Sequence, residues 1–156
     1  MAKEQDSAKT RALRILGNRD ISTHEMEKRL IEKGESEETA QETVAWLVQI
    51  GYIDDSKYAT QIVRHYSAKG YGVFRIKDEL YRRGVPRDLW DDALGDIPDM
   101  SETAMEFLAK KLRGSRDKAD LRRAADALCR RGFSYEEAGA AVSRYLEALE
   151  EAENEE

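Results

Sequence analysis

The sequence predicts an all-α protein built from three tandem three-helix repeats. Charged residues make up 37% of its 156 residues, aromatic residues make up 8% and prolines number only two. This balance favours amphipathic helices with solvated outer faces. A leucine, three mostly charged residues and a glycine recur at Leu30–Gly34, Leu80–Gly84 and Leu128–Gly132. Such spacing is typical of a repeated supersecondary unit, so we expect an elongated, curved helical array that binds something long.

The repeat extends beyond its glycine. Ten residues after each glycine an apolar residue recurs, at Val44, Leu94 and Val142. The predicted units are residues 1–51, 52–96 and 97–146, followed by an acidic tail at 147–156.

The first repeat is predicted to hold three helices. The second of these begins with a capping box formed by Ser22 and Glu25 and ends at Gly34, which suits the left-handed position after a helix. The third starts near Ser36 and stops at Gly51. The apolar residues at helical spacing are Ala12, Leu13, Leu16, Met26, Leu30 and Ile31, and in the third helix Ala40, Val44, Leu47 and Val48, all four expected to face inward.

The second repeat follows the same plan. Asp54 or Asp55 caps its first helix, a glycine-containing break at 70–72 precedes the second helix, and Pro86 suits the first position of the third. The apolar residues that mark these helices are Tyr58, Ala59, Ile62, Val63, Tyr66, Val73, Ile76, Leu80, Leu89, Trp90 and Leu94.

The third repeat follows a predicted hinge at Gly95–Asp99. Its first helix, at 101–113, aligns with the other repeats only if a gap is introduced, and its third opens with the capping pair Ser134 and Glu137. The second helix carries Leu121, Ala124, Ala125 and Leu128. About nine helices are therefore expected in the chain.

Charge is distributed unevenly along the chain. The net charge is −6, but residues 147–156 hold six glutamates and no basic residue, so the rest of the chain is neutral. The segment from Lys110 to Arg131 contains nine basic residues and only three aspartates. The tail either serves as a solvated, frayed end or competes with an anionic partner for the basic helices.

Two arginine pairs occupy equivalent outward positions, nine and two residues before the glycines of repeats two and three. They are Arg75 with Arg82 and Arg123 with Arg130. Residues seven apart lie on nearly one helix face, so each pair predicts a basic stripe. Arg116 is predicted to extend the stripe of repeat three by another seven residues. Repeat one has Glu25 and Glu32 at these positions.

A purely structural role for these arginines is the alternative. Acidic residues four positions earlier would stabilise the helices by about 0.2–0.5 kcal/mol per pair. Such pairs are Asp78–Arg82, Glu79–Arg83 and Asp126–Arg130. Arg75 and Arg123 have Tyr71 and Ala119 four positions before them, which favours the partner-binding interpretation for the stripes.

Other residue types give no catalytic or metal-binding pattern. His24 and His65 are far apart and lack further ligands at metal-binding spacing, so we expect surface histidines and no metal site. Cys129 stands alone, which excludes an internal disulfide and favours a reducing compartment. Trp46 and Trp90 fall in apolar stripes and are expected in the core. We find no phosphate-binding glycine loop or nucleophile motif, so neither an enzyme nor a cofactor is predicted.

The first six residues lack the apolar core of a signal peptide, and no stretch is long and apolar enough to span a membrane. We therefore expect a soluble, cytoplasmic protein with no membrane partner. We also expect a monomer.

Several motifs resemble the RecX family of bacterial regulators of the RecA recombinase. The most specific lie in the second repeat: Ile53-Asp54-Asp55, Tyr58-Ala59, Lys69-Gly70-Tyr71-Gly72, Arg75-Ile76, Glu79-Leu80 and Arg83-Gly84-Val85. Weaker matches are Ala12-Leu13, Leu16, Arg19 and Leu30–Gly34 in the first repeat, and Arg130-Arg131-Gly132-Phe133-Ser134-Tyr135 in the third.

This resemblance implies a non-enzymatic protein that lies in the helical groove of RecA filaments on DNA. There it would restrain ATP hydrolysis, strand exchange and co-protease activity, and so regulate DNA repair and the SOS response. Of the matched positions, Lys69, Tyr71 and Arg75 are those expected to reach a partner, whereas the matched residues Tyr58, Ile76, Leu80 and Gly84 are expected to be structural. Met26, Cys129, the acidic tail and the Glu25/Glu32 face depart from the family pattern.

The predicted partner-binding residues are Lys69, Tyr71, Arg75, Arg82, Arg116, Arg123 and Arg130. Contact with DNA is expected to be indirect or weak, because the body of the chain is neutral. A stand-alone DNA-binding module, in which a helix enters the major groove, remains the main alternative. A helical-repeat scaffold for an unrelated protein is a third possibility.

Overall fold

A computed structural model describes residues 7–155. Within that range the chain forms nine α-helices, one 3₁₀ turn at Arg87–Leu89 and no strand, which confirms the all-α class. The signal-peptide expectation for residues 1–6 and the end of the predicted tail, Glu156, lie outside the described residues. The helices are α1 (Ala8–Leu16), α2 (Thr23–Glu32), α3 (Glu37–Gln49), α4 (Asp55–Ala68), α5 (Val73–Arg82), α6 (Trp90–Leu94), α7 (Ser101–Leu112), α8 (Lys118–Arg130) and α9 (Tyr135–Asn154).

The described residues form two compact units. Unit 1 comprises the chain up to Ile62 together with Glu79–Gly95. Unit 2 comprises Val63–Asp78 together with the chain from Asp96 onward. Helices α4 and α5 therefore each contribute residues to both units.

The core of unit 1 is formed largely by α1, α2 and α3. Met26, Leu30 and Leu47 are completely buried there, and each such side chain contributes about 1.5–3 kcal/mol by leaving water. Trp46 packs against this core while remaining partly exposed. The buried members of this core are Ala12, Ile15, Ile21, Met26, Leu30, Ala40, Val44, Leu47 and Ile53.

Three apolar residues of the first repeat lie outside this core, contrary to the prediction from helical spacing. Val48, expected to face inward, is 46% exposed, while Ile31 and Leu13 are 42% and 40% exposed. Val48 directly follows the buried Leu47, and Ile31 directly follows the buried Leu30. Successive residues on a helix point about 100° apart, so Val48 and Ile31 point well away from their buried neighbours and reach only the margin of the packed face.

Local hydrogen bonds define where several helices begin. The capping boxes predicted at the starts of α2 and α9 are both present. At α4 the side chain of Asp54 accepts a bond from the Lys57 amide over 3.1 Å, which identifies Asp54 as the cap. Asp55 instead accepts bonds from the amide and hydroxyl of Thr23, over 2.9 and 2.6 Å.

Pro86 does not start a helix. Its ψ of 136° is extended, the 3₁₀ turn follows it, and α6 begins only at Trp90. Trp90 is buried, as predicted, and its indole N–H donates to the Val85 carbonyl oxygen over 2.9 Å. The predicted third helix of this repeat is therefore reduced to five residues.

The core of unit 2 is formed by α7, α8 and α9. Leu108 and Leu128 are completely buried, and Cys129 packs against this core at its edge. Helix α9 continues to Asn154, so most of the predicted acidic tail belongs to a helix. No helix among residues 7–155 combines the length and the apolar character needed to cross a membrane.

Candidate partner-binding site

The predicted partner-binding residues Lys69 and Tyr71 lie in the link between α4 and α5. Gly70 adopts a left-handed conformation with φ of 90°. The Tyr71 amide donates to the Tyr66 carbonyl oxygen over 3.1 Å, a bond that closes the end of α4. The local chain geometry leaves the Lys69 side chain exposed to solvent.

The backbone of this link runs directly against the Arg131–Gly132 turn, within unit 2. The Gly72 amide donates to the Arg131 carbonyl oxygen over 2.9 Å, and the Phe74 amide donates to the Gly132 carbonyl oxygen over 3.0 Å. A Cβ atom on Gly72 would lie 2.5 Å from the Gly132 carbonyl group, and one on Gly132 would lie 2.5 Å from the Arg75 amide nitrogen. Two glycines are therefore required for this close approach.

The side chain of Arg131 fastens the same link. Its guanidinium group donates to the carbonyl oxygens of Lys69 and Gly70, over 2.9 and 3.5 Å. The guanidinium carbon also lies 4.4 Å from the ring centre of Tyr71 and 5.3 Å from that of Phe107. Both distances allow cation–π attraction, typically about 0.5–2 kcal/mol per contact.

Arg75 approaches the same aromatic ring from the start of α5. Its guanidinium carbon lies 5.5 Å from the ring centre of Tyr71 and 5.9 Å from that of Tyr66. Tyr71 is only partly exposed. Its ring therefore contacts Arg75 and Arg131, and little of its surface is accessible to a partner. We call Tyr66, Tyr71, Arg75, Phe107 and Arg131 the Tyr71 cluster.

The sequence predicts a partner-binding role for Lys69, Tyr71 and Arg75 but gives no such prediction for Arg131. Arg131 precedes the repeated glycine, and a positive charge in the last turn of a helix has an ordinary explanation. The available signal was the arginine directly before the glycine in both Arg83-Gly84 and Arg131-Gly132.

Arg123 and Arg130 share one face of α8. Together with Lys111 of α7 they line a shallow cavity of about 370 Å³. Asp120 and Asp126 line the same cavity, so its charge is mixed. The two arginines are exposed at its rim.

Arg116 does not extend the α8 stripe. It precedes Asp117, the residue that caps α8, so helical spacing does not apply to it. Its guanidinium group instead bonds to a carboxylate oxygen of Glu153 over 2.7 Å. The predicted stripe of repeat three is therefore limited to Arg123 and Arg130.

The absence of an acidic residue four positions before Arg75 and Arg123 does not leave these arginines without acidic partners, so it does not favour the partner-binding interpretation. Arg75 pairs with Asp78 over 3.4 Å, and Arg123 pairs with Asp120. Both partners lie three residues away, and this spacing also brings side chains together on a helix. The pKa of the Asp120 carboxyl is lowered by a hydrogen bond from the Ser115 hydroxyl and then by Arg123.

In unit 1, Arg82 and Arg83 share the carboxylate of Glu79. The exposed Arg82 lies 3.8 Å from one oxygen, while Arg83 bonds to the other over 3.2 Å, which confirms the predicted Glu79–Arg83 pair. Glu79 is only 7% exposed. Arg83 also donates to the Tyr58 hydroxyl over 3.1 Å, and burial raises the pKa of that hydroxyl.

No group of three His, Cys, Asp or Glu side chains within residues 7–155 is placed to hold a metal ion. His24 and His65 are both exposed, as expected for surface histidines.

Two family models match this chain. Residues 8–47 match the first three-helix domain of RecX, and residues 54–94 match its second three-helix domain.

Curated relatives extend over most of the sequence. The regulatory protein RecX of Xanthomonas campestris pv. campestris (strain B100) is 35% identical over 134 residues, covering 84% of this chain and 82% of the relative. The regulatory protein RecX of Chromohalobacter salexigens is 30% identical over 149 residues, covering 94% and 98%.

Solved structures share the fold. The crystal structure of RecX from Lactobacillus salivarius has a TM-score of 0.80 at 22% identity and covers 93% of this chain and 98% of its own. A second crystal structure, of regulatory protein RecX, has a TM-score of 0.74 at 24% identity and covers 83% of this chain and 67% of its own.

Proposed function

Because the chain belongs to the RecX family, we propose that it binds RecA filaments on DNA and restrains their ATP hydrolysis, strand exchange and co-protease activity. It does so by occupying the filament groove, without catalysing a reaction. This activity regulates DNA repair in the bacterial cytoplasm. The observation that carries the proposal is the fastening of the Lys69–Gly72 link by Arg131, which presents Lys69 and Arg75 from a rigid support.

The proposed contact residues fall into two groups. Lys69, Tyr71, Arg75, Arg116, Arg123 and Arg130 belong to unit 2, and Arg82 belongs to unit 1. Exposed guanidinium groups suit carboxylates on a protein surface and phosphates on DNA, because their forked donors bind both bidentately. Tyr71 acts mainly through the arginines that it supports, and Arg116 must exchange its bond to Glu153 for a bond to the partner.

The mechanism is steric and electrostatic. A protein seated in the filament groove contacts more than one RecA subunit and holds their relative positions. Nucleotide turnover requires the subunits to move, so bridging contacts slow it. A ligand can shift such an equilibrium only by binding one arrangement of the subunits better than the other.

The test is an ATPase assay of RecA filaments from the same organism, titrated with the protein. Charge reversal at Arg75, Arg82, Arg123 and Arg130 together is expected to weaken inhibition at least about tenfold, because each lost contact costs about 1 kcal/mol or more. Circular dichroism is expected to show unchanged helicity.

A matched control reverses four exposed lysines outside the proposed contacts, Lys28, Lys57, Lys110 and Lys118. It changes the net charge equally and is expected to inhibit like the wild type. Full inhibition by the quadruple arginine variant would remove this mechanism. If the wild-type protein leaves the ATPase activity of the filaments unchanged, the proposed function itself is wrong.

A further inference from the structure

The end of helix α9 is bonded to the turn between α7 and α8, within unit 2. The Arg116 guanidinium group donates to a carboxylate oxygen of Glu153 over 2.7 Å, although the two residues lie 37 positions apart in the sequence. Both side chains remain in contact with solvent, with exposed fractions of 44% and 64%. The bond therefore joins two surface groups that a charged partner can also reach.

Packing of α9 positions both of these groups. The side chain of Tyr145 is 3% exposed, and its hydroxyl donates to the Ser115 carbonyl oxygen over 3.0 Å. The Ser115 hydroxyl in turn bonds to Asp120 near the start of α8 over 2.7 Å. Leu149 packs against the core of unit 2 one turn after Tyr145, and Glu153 follows one turn later on the same helix face. Because the turn and the helix are both fixed by the core, the ion pair loses less conformational entropy than an ordinary surface pair.

Stabilisation of α9 does not explain its glutamates. Residues 147–156 contain six glutamates and no basic residue, and α9 continues to Asn154. The C-terminus of a helix carries partial negative charge, so carboxylates there are unfavourable for the helix itself. The turn that α9 reaches contains three exposed cations, Arg113, Arg116 and Lys118. The glutamates therefore act on this basic turn more than on their own helix.

We propose that the acidic end of α9 is an autoinhibitory element that competes with the partner for Arg116. This inference rests on the proposed filament-binding function, in which Arg116 is a contact residue. An anionic group of the partner needs the forked donors that Glu153 occupies in part, so bidentate binding requires the internal bond to open. The apparent affinity for the partner is then reduced by the fraction of molecules in which the bond is closed.

The strength of this autoinhibition is set by one exposed ion pair. Such a pair favours the closed state by a factor of about two to five. Salt screens exposed charges, with a Debye length of about 10 Å at 0.1 M ionic strength. The end of α9 therefore lowers the activity of the protein by a modest factor that is largest at low salt.

The test compares Glu153→Gln with the wild type in the RecA ATPase assay at about 50 and 200 mM salt. Glutamine removes the charge at nearly unchanged size, so this variant is expected to strengthen inhibition about two- to fivefold at the lower salt and less at the higher salt. The matched control is Glu151→Gln, which removes the same charge from an exposed position on the same helix end. Residues two positions apart point about 160° apart on a helix, so the control is expected to inhibit like the wild type.

A third variant identifies the group on which Glu153 acts. In a protein that carries Arg116→Ala, adding Glu153→Gln is expected to change inhibition little, because the bond that it opens is already absent. Circular dichroism is expected to show equal helicity for all of these proteins. A gain that persists without Arg116 would contradict the proposal.

Two further outcomes separate this inference from the function on which it rests. If the wild type inhibits the filaments but Glu153→Gln inhibits no better than Glu151→Gln, the autoinhibitory contact is refuted and the filament-binding function stands. If the wild type leaves the filaments uninhibited, Arg116 has no partner to compete for, and both proposals are wrong.

Discussion

A similar junction is present in each unit, formed through a side-chain hydroxyl in unit 1 and a backbone amide in unit 2, and its arginine has different surroundings. In unit 1 the Ser22 hydroxyl donates to the Arg83 carbonyl oxygen over 2.5 Å. In unit 2 the equivalent donor is the Gly72 amide, and the acceptor is the Arg131 carbonyl oxygen. In each case the start of a repeat's second helix packs against the arginine–glycine turn of the following repeat.

The two arginines differ in what holds their side chains. Arg83 is bound by the buried carboxylate of Glu79 and the hydroxyl of Tyr58. The residue equivalent to Glu79 in the next repeat is Ala127, so Arg131 has no such carboxylate and turns to backbone oxygens and aromatic faces. A similar turn geometry therefore serves internal stability in unit 1 and supports the Lys69–Gly72 link in unit 2.

The largest expected effect comes from adding a methyl group at the unit 2 junction, where the start of α5 packs against the Arg131–Gly132 turn. Gly132→Ala places a methyl group against the backbone of Arg75 at a φ of 104°. The overlap and the unfavourable conformation together are expected to lower the free energy of unfolding by about 2–4 kcal/mol. Urea denaturation followed by circular dichroism measures this change.

The control for that variant is Gly139→Ala, also in unit 2. Gly139 lies within α9, with no neighbouring atom near the position of its added methyl group. Alanine there is expected to raise stability by about 0.5–1 kcal/mol. A Gly132→Ala protein as stable as the wild type would show that the two backbones need not approach so closely.

Effects of intermediate size are expected from replacing Arg83 or Arg131, and they distinguish a role in stability from a role in filament inhibition. Arg83→Ala removes a charged partner from the buried Glu79 and is expected to cost about 1–3 kcal/mol of stability, with filament inhibition unchanged. Arg131→Ala is expected to cost about 1 kcal/mol of stability and to weaken filament inhibition several-fold, because the Lys69–Gly72 link loses its support. Unfolding by urea and the RecA ATPase assay provide the two measurements.

If both variants lose inhibition equally, the arginines do not have the distinct roles inferred from their surroundings. Arg131→Lys sharpens the comparison, since lysine keeps the charge but lacks the forked donors. It is expected to fall between wild type and Arg131→Ala in inhibition.

The smallest expected effect is the loss of folding stability at alkaline pH that arises from Tyr58 in unit 1. Burial raises the pKa of Tyr58 above its ordinary value of 10.0, so the folded state holds the proton more tightly than the unfolded state. The resulting stability is fully present below the ordinary pKa and is lost as the pH rises through the folded-state pKa. Tyr58→Phe is expected to cost about 0.5–1.5 kcal/mol at neutral pH through the lost bond with Arg83.

Urea denaturation from about pH 9 to about pH 11 tests the assignment. The wild type is expected to lose stability more steeply than Tyr58→Phe over this range. Parallel pH profiles would mean that Tyr58 titrates alike in the folded and unfolded states.

Helix number, capping boxes and most core residues could be predicted because they depend on neighbours in the sequence. Ser22 with Glu25 and Ser134 with Glu137 lie three residues apart, and their bonds need only the first turn of a helix. The errors arose where helical spacing was applied too broadly. Val48 lies at the margin of the packed face of α3 and is 46% exposed, and Arg116 precedes the helix on which the stripe lies.

The sequence by itself determined a chain of short helices separated by glycine turns, since apolar spacing and left-handed glycines act over a few residues. Only the tertiary structure decided what the charged side chains do. Arg131 bonds to Lys69, 62 residues away, and Arg116 bonds to Glu153, 37 residues away. A hydrogen bond or an electrostatic field depends on distance in space, and no local pattern specifies which distant residues packing will bring together.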